Sequence, residues 1–395
     1  MSLATELHAL NPRDNAYATR FVDLLLAAAR ENRASDIHLQ PLRDQLEIRW
    51  RLDGVLQTVG RFPTGQASDV IARLKVLAEL LTYRNDIPQE GRIRETPGNV
   101  EMRVSTFPTL YGERAVVRMF AAHDTYLRIG DLGLPADVVE CMSQVLGETS
   151  GMLLVTGPAG SGKTTTVYAA LREIVFQSGS QKNIVSLEDP IEVAVEGVAQ
   201  SQVKPAAGFD LATGLRSLMR QDPEVIMVGE IRDVATAEAA FQASLTGHLV
   251  LTTFHAGSAA GAINRLADMG IEPYQLRSGI QAILSQRLVR KLCDCSRESA
   301  LPADRLGLDV DTARLPGGCA NCLNTGYRGR AVLAELLVAS PDELGRAILS
   351  RSDSAQLEQL AIAAGMKSQW ARAFDAVRNG VTSPAEVRRV LGFSR

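Results

Sequence analysis

One run of eight residues restricts the fold of this chain more than any other feature. Residues 157–164 read GPAGSGKT and match the pattern G-x-x-x-x-G-K-[ST] at every position. An apolar, β-rich run at 152–156 precedes them, and a helix-compatible run at 165–175 follows. A strand, a glycine-rich turn and a helix in this order are typical of a phosphate-binding loop in an α/β domain. We therefore predict such a loop here; the alternative is a chance glycine-rich turn.

The residue types in this loop suit a nucleotide phosphate. Its glycines let backbone N–H groups turn inward around phosphate oxygens, and the helix N-terminus adds a favourable dipole. Lys163 can reach the β- and γ-phosphates, and the Thr164 hydroxyl can bind Mg²⁺. The sequence therefore predicts a nucleotide and Mg²⁺ as cofactors. The predicted phosphate-binding residues are Gly157, Pro158, Ala159, Gly160, Ser161, Gly162, Lys163, Thr164 and Thr165.

Two other apolar runs end in carboxylates that could complete the site. Residues 225–228 are followed by Gly229 and Glu230, where such sites usually have an aspartate that holds Mg²⁺ through water. Glu230 must therefore hold metal or water alone, or share the task with another acid. Glu188 and Asp189, which follow the second apolar run at 184–187, are candidates for that acid. For each acid, the alternative is a solvated strand end.

Length and composition bound the class of protein. At roughly 150 residues per domain, a chain of 395 residues is expected to have two or three domains. A composition that is 46% apolar and 22% charged excludes a largely disordered protein. The formal net charge of −3 does not favour nucleic acid as a partner. No membrane span or secretory signal is evident, so we expect a cytoplasmic protein.

Hydrophobic periodicity predicts the organisation of the chain. A helix is expected at 17–31, a strand at 46–52 that alternates apolar and charged residues, and a hairpin turn at Asp53-Gly54. Ser340-Pro341 and Ser383-Pro384 each open a helix as a capping box. The five predicted segments are an α+β domain at 1–121, a connector at 122–150, an α/β core at 151–290, a cysteine-bearing module at 291–328 and a helical C-terminal region at 329–395.

Four of the five cysteines form two close pairs. Cys293 and Cys295 make a C-x-C pair, and Cys319 and Cys322 make a C-x-x-C pair. Four thiolates suit a tetrahedral structural Zn²⁺ with no open coordination position. The alternative is a set of free thiols, because the C-x-C pair is tighter than the usual C-x-x-C turn. Cys141 stands apart and is expected in a core.

Long segments of the chain resemble the type II/type IV secretion ATPases, the superfamily of general secretion pathway protein E and the type IV pilus assembly and retraction motors. The match runs from about residue 15 to near the end. It implies a PAS-like N-terminal domain followed by a RecA-like P-loop ATPase domain, with ATP as the bound nucleotide. The segments that carry it are 34–57 (ASDIHLQPLRDQLEIRWRLDGVLQ), 112–120 (GERAVVRMF), 183–192 (NIVSLEDPIE), 215–233 (LRSLMRQDPEVIMVGEIRD), 246–273 (TGHLVLTTFHAGSAAGAINRLADMGIEP), 285–293 (SQRLVRKLC), 325–337 (TGYRGRAVLAELL) and 365–391 (GMKSQWARAFDAVRNGVTSPAEVRRVL).

The resemblance implies catalytic roles residue by residue. Glu188 would polarise the attacking water, and Glu230 would hold Mg²⁺. His255, with His248 as a second candidate, would sense the γ-phosphate. Arg92 and Arg103 would lie over the nucleotide of their own chain or of a neighbouring copy; their alternative is plain surface charge. The catalytic set implied is Lys163, Glu188, Glu230, His255, Arg92 and Arg103.

The resemblance also implies a homo-hexameric motor. Such a ring would drive an inner-membrane platform protein, so the chain would be peripheral to the inner face of the cytoplasmic membrane through its partners. A four-cysteine zinc element, which retraction motors lack, favours type II secretion or type IV pilus extension over pilus retraction. Only about 15 residues precede the PAS-like match, so we expect the extra docking domain of many secretion members to be missing. Two other classes remain as rivals: a P-loop nucleic-acid motor, and a nucleotide-binding scaffold without turnover.

Overall fold

A computed structural model of the chain describes residues 3–63, 67–93, 102–119, 127–179, 181–339 and 342–393. Contacts between residues separate two compact units, Met1–His123 and Asp124–Arg395. None of the helices in the described ranges has both the length and the apolar character that a bilayer crossing requires.

The first unit is built on one antiparallel sheet. Its helices are α1 (Leu3–Ala9), α2 (Tyr17–Glu31) and α3 (Ala67–Leu77). Its strands are β1 (Asp36–Pro41), β2 (Gln45–Leu52), β3 (Val55–Pro63), β4 (Gln89–Ile93), β5 (Met102–Thr109) and β6 (Gly112–Met119). The strand order is β3-β2-β1-β6-β5-β4. Alternate residues such as Ile37 and Leu39 are fully buried in one core with Phe21 and Leu25 of α2.

The predicted local elements of this unit are present, with additions. Asp53 and Gly54 both have positive φ, at 47° and 86°, which is the geometry of a tight turn between twisted strands. Strands β1 and β4 were not anticipated.

The second unit is a doubly covered, mostly parallel sheet. Its strands are β7 (Gly151–Thr156), β8 (Ile184–Glu188), β9 (Ala199–Gln202), β10 (Val225–Val228), β11 (Leu249–Phe254), β12 (Ile280–Leu292), β13 (Arg297–Ser299), β14 (Ala313–Leu315) and β15 (Tyr327–Val338). Its helices are α4 (Ala136–Gly147), α5 (Lys163–Ser178), α6 (Leu211–Leu218), α7 (Val234–Leu245), α8 (Ala259–Asp268), α9 (Pro273–Gly279), α10 (Glu343–Leu349), α11 (Ser354–Ala363), α12 (Gln369–Arg378) and α13 (Pro384–Leu391).

Seven strands form the main sheet in the order β15-β12-β7-β11-β10-β8-β9. Only β15 runs antiparallel to its neighbour among the described strands of this sheet. Every residue of β7, β8, β10 and β11 is buried, because helices cover both faces. The predicted α/β fold class is therefore confirmed.

Two predicted boundaries differ from the structure. Strand β12 continues past residue 290 to Leu292, and β15 occupies the start of the segment predicted to be helical. A small core joins these two strands to the cysteine-bearing module and to α12 and α13. Ser383 caps α13 as predicted, accepting a hydrogen bond from the Glu386 N–H. The Glu386 carboxylate binds Arg290 and Arg389 instead of completing the predicted capping box. Ser340 and Pro341 lie outside the described residues.

Candidate nucleotide site

The predicted phosphate loop connects the end of β7 to the start of α5. Gly157, Gly160 and Gly162 all have positive φ, at 147°, 74° and 90°. At Gly157 a Cβ atom would also lie 2.4 Å from the Gln286 carbonyl oxygen, so both the backbone and the available space require glycine there. Thr164 and Thr165 occupy the exposed first turn of α5.

Lys163 is held inside this loop. Its side chain is only 8% exposed, and its ammonium donates to the carbonyls of Gly157 at 3.0 Å and Pro158 at 3.1 Å. Its Nζ also lies 3.4 Å from Nδ1 of His255. Burial lowers the pKa of Lys163, and the charge of Glu230 opposes that shift.

Glu230 and His255 meet at the carboxyl ends of two adjacent parallel strands. The Nε2 atom of His255 lies 2.9 Å from Oε1 of Glu230, and Nε of Arg232 donates to Oε2 of Glu230 at 2.9 Å. Because β7, β11 and β10 are neighbours, their carboxyl ends bring Lys163, His255 and Glu230 into one chain of contacts. This edge of an open α/β sheet is where ligands bind.

Glu188 has a different environment from Glu230. It is 3% exposed at the end of β8, and its carboxylate accepts hydrogen bonds from protein donors on both oxygens. Tyr168 donates to Oε2, while Ser186 and Gln200 donate to Oε1 at 2.5 and 2.9 Å. Burial, with the Glu188 carboxylate beside it, raises the pKa of Tyr168. Sequence reasoning did not identify Tyr168 and Gln200 as the residues that hold this acid.

The side chain of Gln286, on β12, holds the phosphate loop through two hydrogen bonds. Its side chain is 1% exposed, donates to the Ser161 carbonyl at 2.7 Å and accepts from the Thr166 hydroxyl at 2.9 Å. Sequence reasoning missed this residue, although it lies within the resembling segment at 285–293.

The other predicted site residues are His248 in the second unit and Arg92 and Arg103 in the first. His248 precedes β11, so the length of that strand, about 20 Å, separates it from the His255 end. Its Nδ1 contacts the Ala243 carbonyl at 3.0 Å, so His248 is not among the side chains that meet at the phosphate loop of this unit. In the first unit, the strand register sets Arg92 opposite Arg103 and Arg103 opposite Arg118, and Arg103 pairs with Glu90.

The four paired cysteines converge in the second unit. Their sulfurs all lie within 4.8 Å of one another, with 3.7 Å between Cys293 and Cys319, 3.8 Å between Cys295 and Cys322 and 3.6 Å between Cys319 and Cys322. A tetrahedral Zn²⁺ with bonds of about 2.3 Å needs sulfurs about 3.8 Å apart, so the geometry fits zinc. Burial opposes ionisation of Cys322, but N–H groups of Cys319 and Gly326 lower its pKa to about 6. The C-x-C spacing does not prevent convergence.

Comparison with known proteins identifies relatives over nearly the whole chain. Residues 11–389 match the family described as type II/IV secretion system protein. The chain is 42% identical over 382 residues to type II secretion system protein E of Xanthomonas campestris pv. campestris, covering 94% of this chain and 67% of that protein. It is 39% identical over 385 residues to the type IV pilus assembly ATPase PilB of Thermus thermophilus, covering 95% and 43%.

A solved structure shares the fold. The Legionella pneumophila ATPase DotB superposes with a TM-score of 0.69 at 23% identity, covering 94% of this chain and 95% of that one. The likeness supports the RecA-like architecture of the second unit.

Proposed function

The chain belongs to the type II/IV secretion system protein family, and we propose that it is a motor ATPase for subunit assembly. It hydrolyses ATP to drive pseudopilus assembly in type II secretion or pilus extension in a type IV system. The observation that carries this proposal is the contact chain from Lys163 through His255 to Glu230, beside a complete phosphate-loop sequence.

The chemistry assigned to the site is positioning and charge neutralisation. Lys163 and the loop N–H groups hold the phosphates, while Thr164 and Glu230 supply the hydroxyl and carboxylate oxygens that Mg²⁺ prefers. When bound, the metal neutralises charge on the β- and γ-phosphates. Glu188 takes a proton from the attacking water after its carboxylate exchanges one of its protein donors for that water. His255 senses the γ-phosphate, and its contact with Glu230 links that phosphate to the residue proposed to hold Mg²⁺.

Arginines of the first unit complete the proposed cycle. Arg92 and Arg103 face each other across β4 and β5, and Arg103 also pairs with Glu90. In the proposal they contact the ATP phosphates, and hydrolysis releases them so that the two units rotate. A homo-hexamer transmits this rotation to an inner-membrane platform protein, from the cytoplasmic side of the membrane.

The cysteine cluster supports assembly over retraction. Cys293, Cys295, Cys319 and Cys322 would hold a structural Zn²⁺, the element expected of the secretion and extension branches. The two relatives described above are named for type II secretion and for pilus assembly, which agrees with that branch.

ATP hydrolysis by the full-length chain tests the proposal. The parental protein is expected to turn over ATP, and Lys163→Ala to lose nucleotide binding or turnover, while the exposed Lys204→Ala keeps both. Near-parental hydrolysis by Lys163→Ala contradicts the phosphate-loop assignment. Salt-dependent DNA binding supports the nucleic-acid motor instead. Nucleotide binding by an assembled hexamer that shows no turnover supports the scaffold.

A further inference from the structure

One buried carboxylate joins the nucleotide site to the C-terminal helices. Glu335 lies on β15, is 2% exposed, and has no part in the chemistry assigned above. Its two oxygens accept from two different helix N-termini, that of α8 and that of α12. A negative charge is stabilised at such positions by the helix dipole.

The first oxygen fixes the segment that carries His255. Oε1 of Glu335 accepts from the Ala259 N–H at 2.8 Å, and Ala259 opens α8 four residues after His255. The residues between them are held as well: the Ala256 N–H donates to the Thr156 hydroxyl at 2.9 Å, and Arg287 donates to the Gly257 carbonyl at 3.1 Å. The position of His255 against Glu230 therefore depends on this anchored segment.

The second oxygen fixes α12. Oε2 of Glu335 accepts from the Gln369 N–H at 3.1 Å, at the first residue of that helix. The Gln369 side chain also donates to the Ser285 hydroxyl at 2.8 Å, beside the Gln286 that braces the phosphate loop. Displacement of α12 would thus pull on the same carboxylate that holds the His255 segment.

We propose that Glu335 is a positioning residue that aligns His255 for ATP hydrolysis and couples this alignment to α12. An apolar side chain at this position would leave both N–H groups without an acceptor, and a side chain with one acceptor oxygen could not serve both helices fully, so the carboxylate links the His255 segment to α12. The inference rests on the proposed ATPase function for its kinetic readout.

The kinetic test is a double-mutant cycle in the full-length protein. Glu335→Gln keeps the shape of the side chain but offers one acceptor oxygen to two N–H groups. It is expected to lower kcat by about ten- to a hundredfold with little change in the KM for ATP. His255→Ala and the double variant should then be equally slow, because Glu335 acts through His255. Parental kcat in Glu335→Gln, or effects that multiply in the double variant, overturn the proposal.

A matched control separates positioning from folding. Glu386 is an equally buried carboxylate in the same unit, bound by Arg290 and Arg389 and not by the His255 segment. Glu386→Gln should lower the melting temperature yet keep the parental kcat at temperatures where the variant is folded. Equal loss of kcat in both variants shows a structural role for Glu335.

Hydrogen exchange provides a readout independent of activity. In Glu335→Gln, exchange at the Ala259 and Gln369 amides should rise together, while the Ala371 amide, bound to Ser368, stays protected. If only one of the two amides loosens, the coupling is absent. Absence of ATP hydrolysis in the parental chain contradicts the proposed function, whereas this exchange pattern still decides the role of Glu335.

Discussion

The Nε2 atom of His255 lies 2.9 Å from the Oε1 atom of Glu230, so the ends of two neighbouring parallel strands are joined through their side chains. The other ring nitrogen of His255 faces Lys163 at 3.4 Å. One imidazole therefore lies between the phosphate-loop lysine and the acid proposed to hold Mg²⁺. A change in charge at Lys163 or Glu230 therefore alters the electrostatic environment of this ring.

Glu230→Gln should retain ATP binding and lose most turnover. The amide keeps the size of the side chain but lacks the charge that Mg²⁺ and the transition state require. Steady-state hydrolysis and equilibrium binding of a fluorescent ATP analogue measure the two effects separately. Arg232→Gln is the control, because Arg232 is largely exposed and contacts the same carboxylate. Equal hydrolysis by Glu230→Gln and Arg232→Gln argues against a metal role for Glu230.

Glu188→Gln should also bind ATP and lose most turnover, for a different reason. A glutamine cannot accept the proton of the attacking water, yet the hydroxyls of Tyr168 and Ser186 can rotate to suit the amide. Single-turnover hydrolysis is the measurement, and the exposed Glu196→Gln in the following loop is the control. Hydrolysis at the parental rate removes Glu188 as the base.

Purified protein should contain about one zinc ion per chain. Cys319→Ser should lose most of that metal and lower the thermal stability of the second unit, because metal binding contributes folding free energy. Elemental analysis under reducing, metal-replete conditions checks the stoichiometry. Cys141→Ser, which lies outside the cluster, should keep the zinc. A metal content near zero in the parental protein contradicts the zinc assignment.

Glu386 should make the free energy of unfolding decrease as the pH falls into the acid range. Burial alone would raise its pKa, but hydrogen bonds from Arg389 and Arg290 outweigh burial and hold the pKa below its usual range. A carboxylate with a lowered folded-state pKa stabilises fully above its unfolded value of about 4.3, and this stabilisation is lost as pH falls through the folded value.

Glu386→Gln should therefore cost about 3 kcal/mol of unfolding free energy at pH 7 and flatten the acid limb of the stability profile. Denaturant unfolding at several pH values measures both effects. The exposed Glu343, paired with Arg346, is the matched control, and Glu343→Gln should cost less than about 0.5 kcal/mol. If the unfolding free energy of Glu386→Gln falls with acid pH as steeply as that of the parental protein, another group is responsible for the pH dependence.

Local sequence predicted the elements whose burial is uniform. The continuous apolar runs of β7, β8 and β10 indicate strands covered on both faces, and the glycine pattern indicates the loop after β7. By contrast, β12 contains Ser285 and Gln286, polar residues that are buried because they bond to partners far away in sequence. Such partners are invisible to periodicity, which is why β12 and the bracing role of Gln286 were missed.

The same limit applies to Glu188 and to β15. The position of Glu188 at a strand end follows from the sequence, but its donors Tyr168 and Gln200 come from α5 and β9. Strand β15 was assigned to a helical region because its place in the sheet depends on pairing with β12 over its whole length. Pairing across long sequence separations is set by tertiary packing.

The shared core of β12, β15, α12 and α13 makes the C-terminus part of the ATPase unit's cooperative folding. Val289 and Leu333 of the sheet pack with Ala373, Val377 and Val387 of the last helices. A fragment truncated after β15 would expose this apolar surface, and would remove Gln369 from Glu335 and Glu386 from Arg290. Helices α12 and α13 are therefore part of the folded unit, and they are expected to unfold together with the sheet in a single transition.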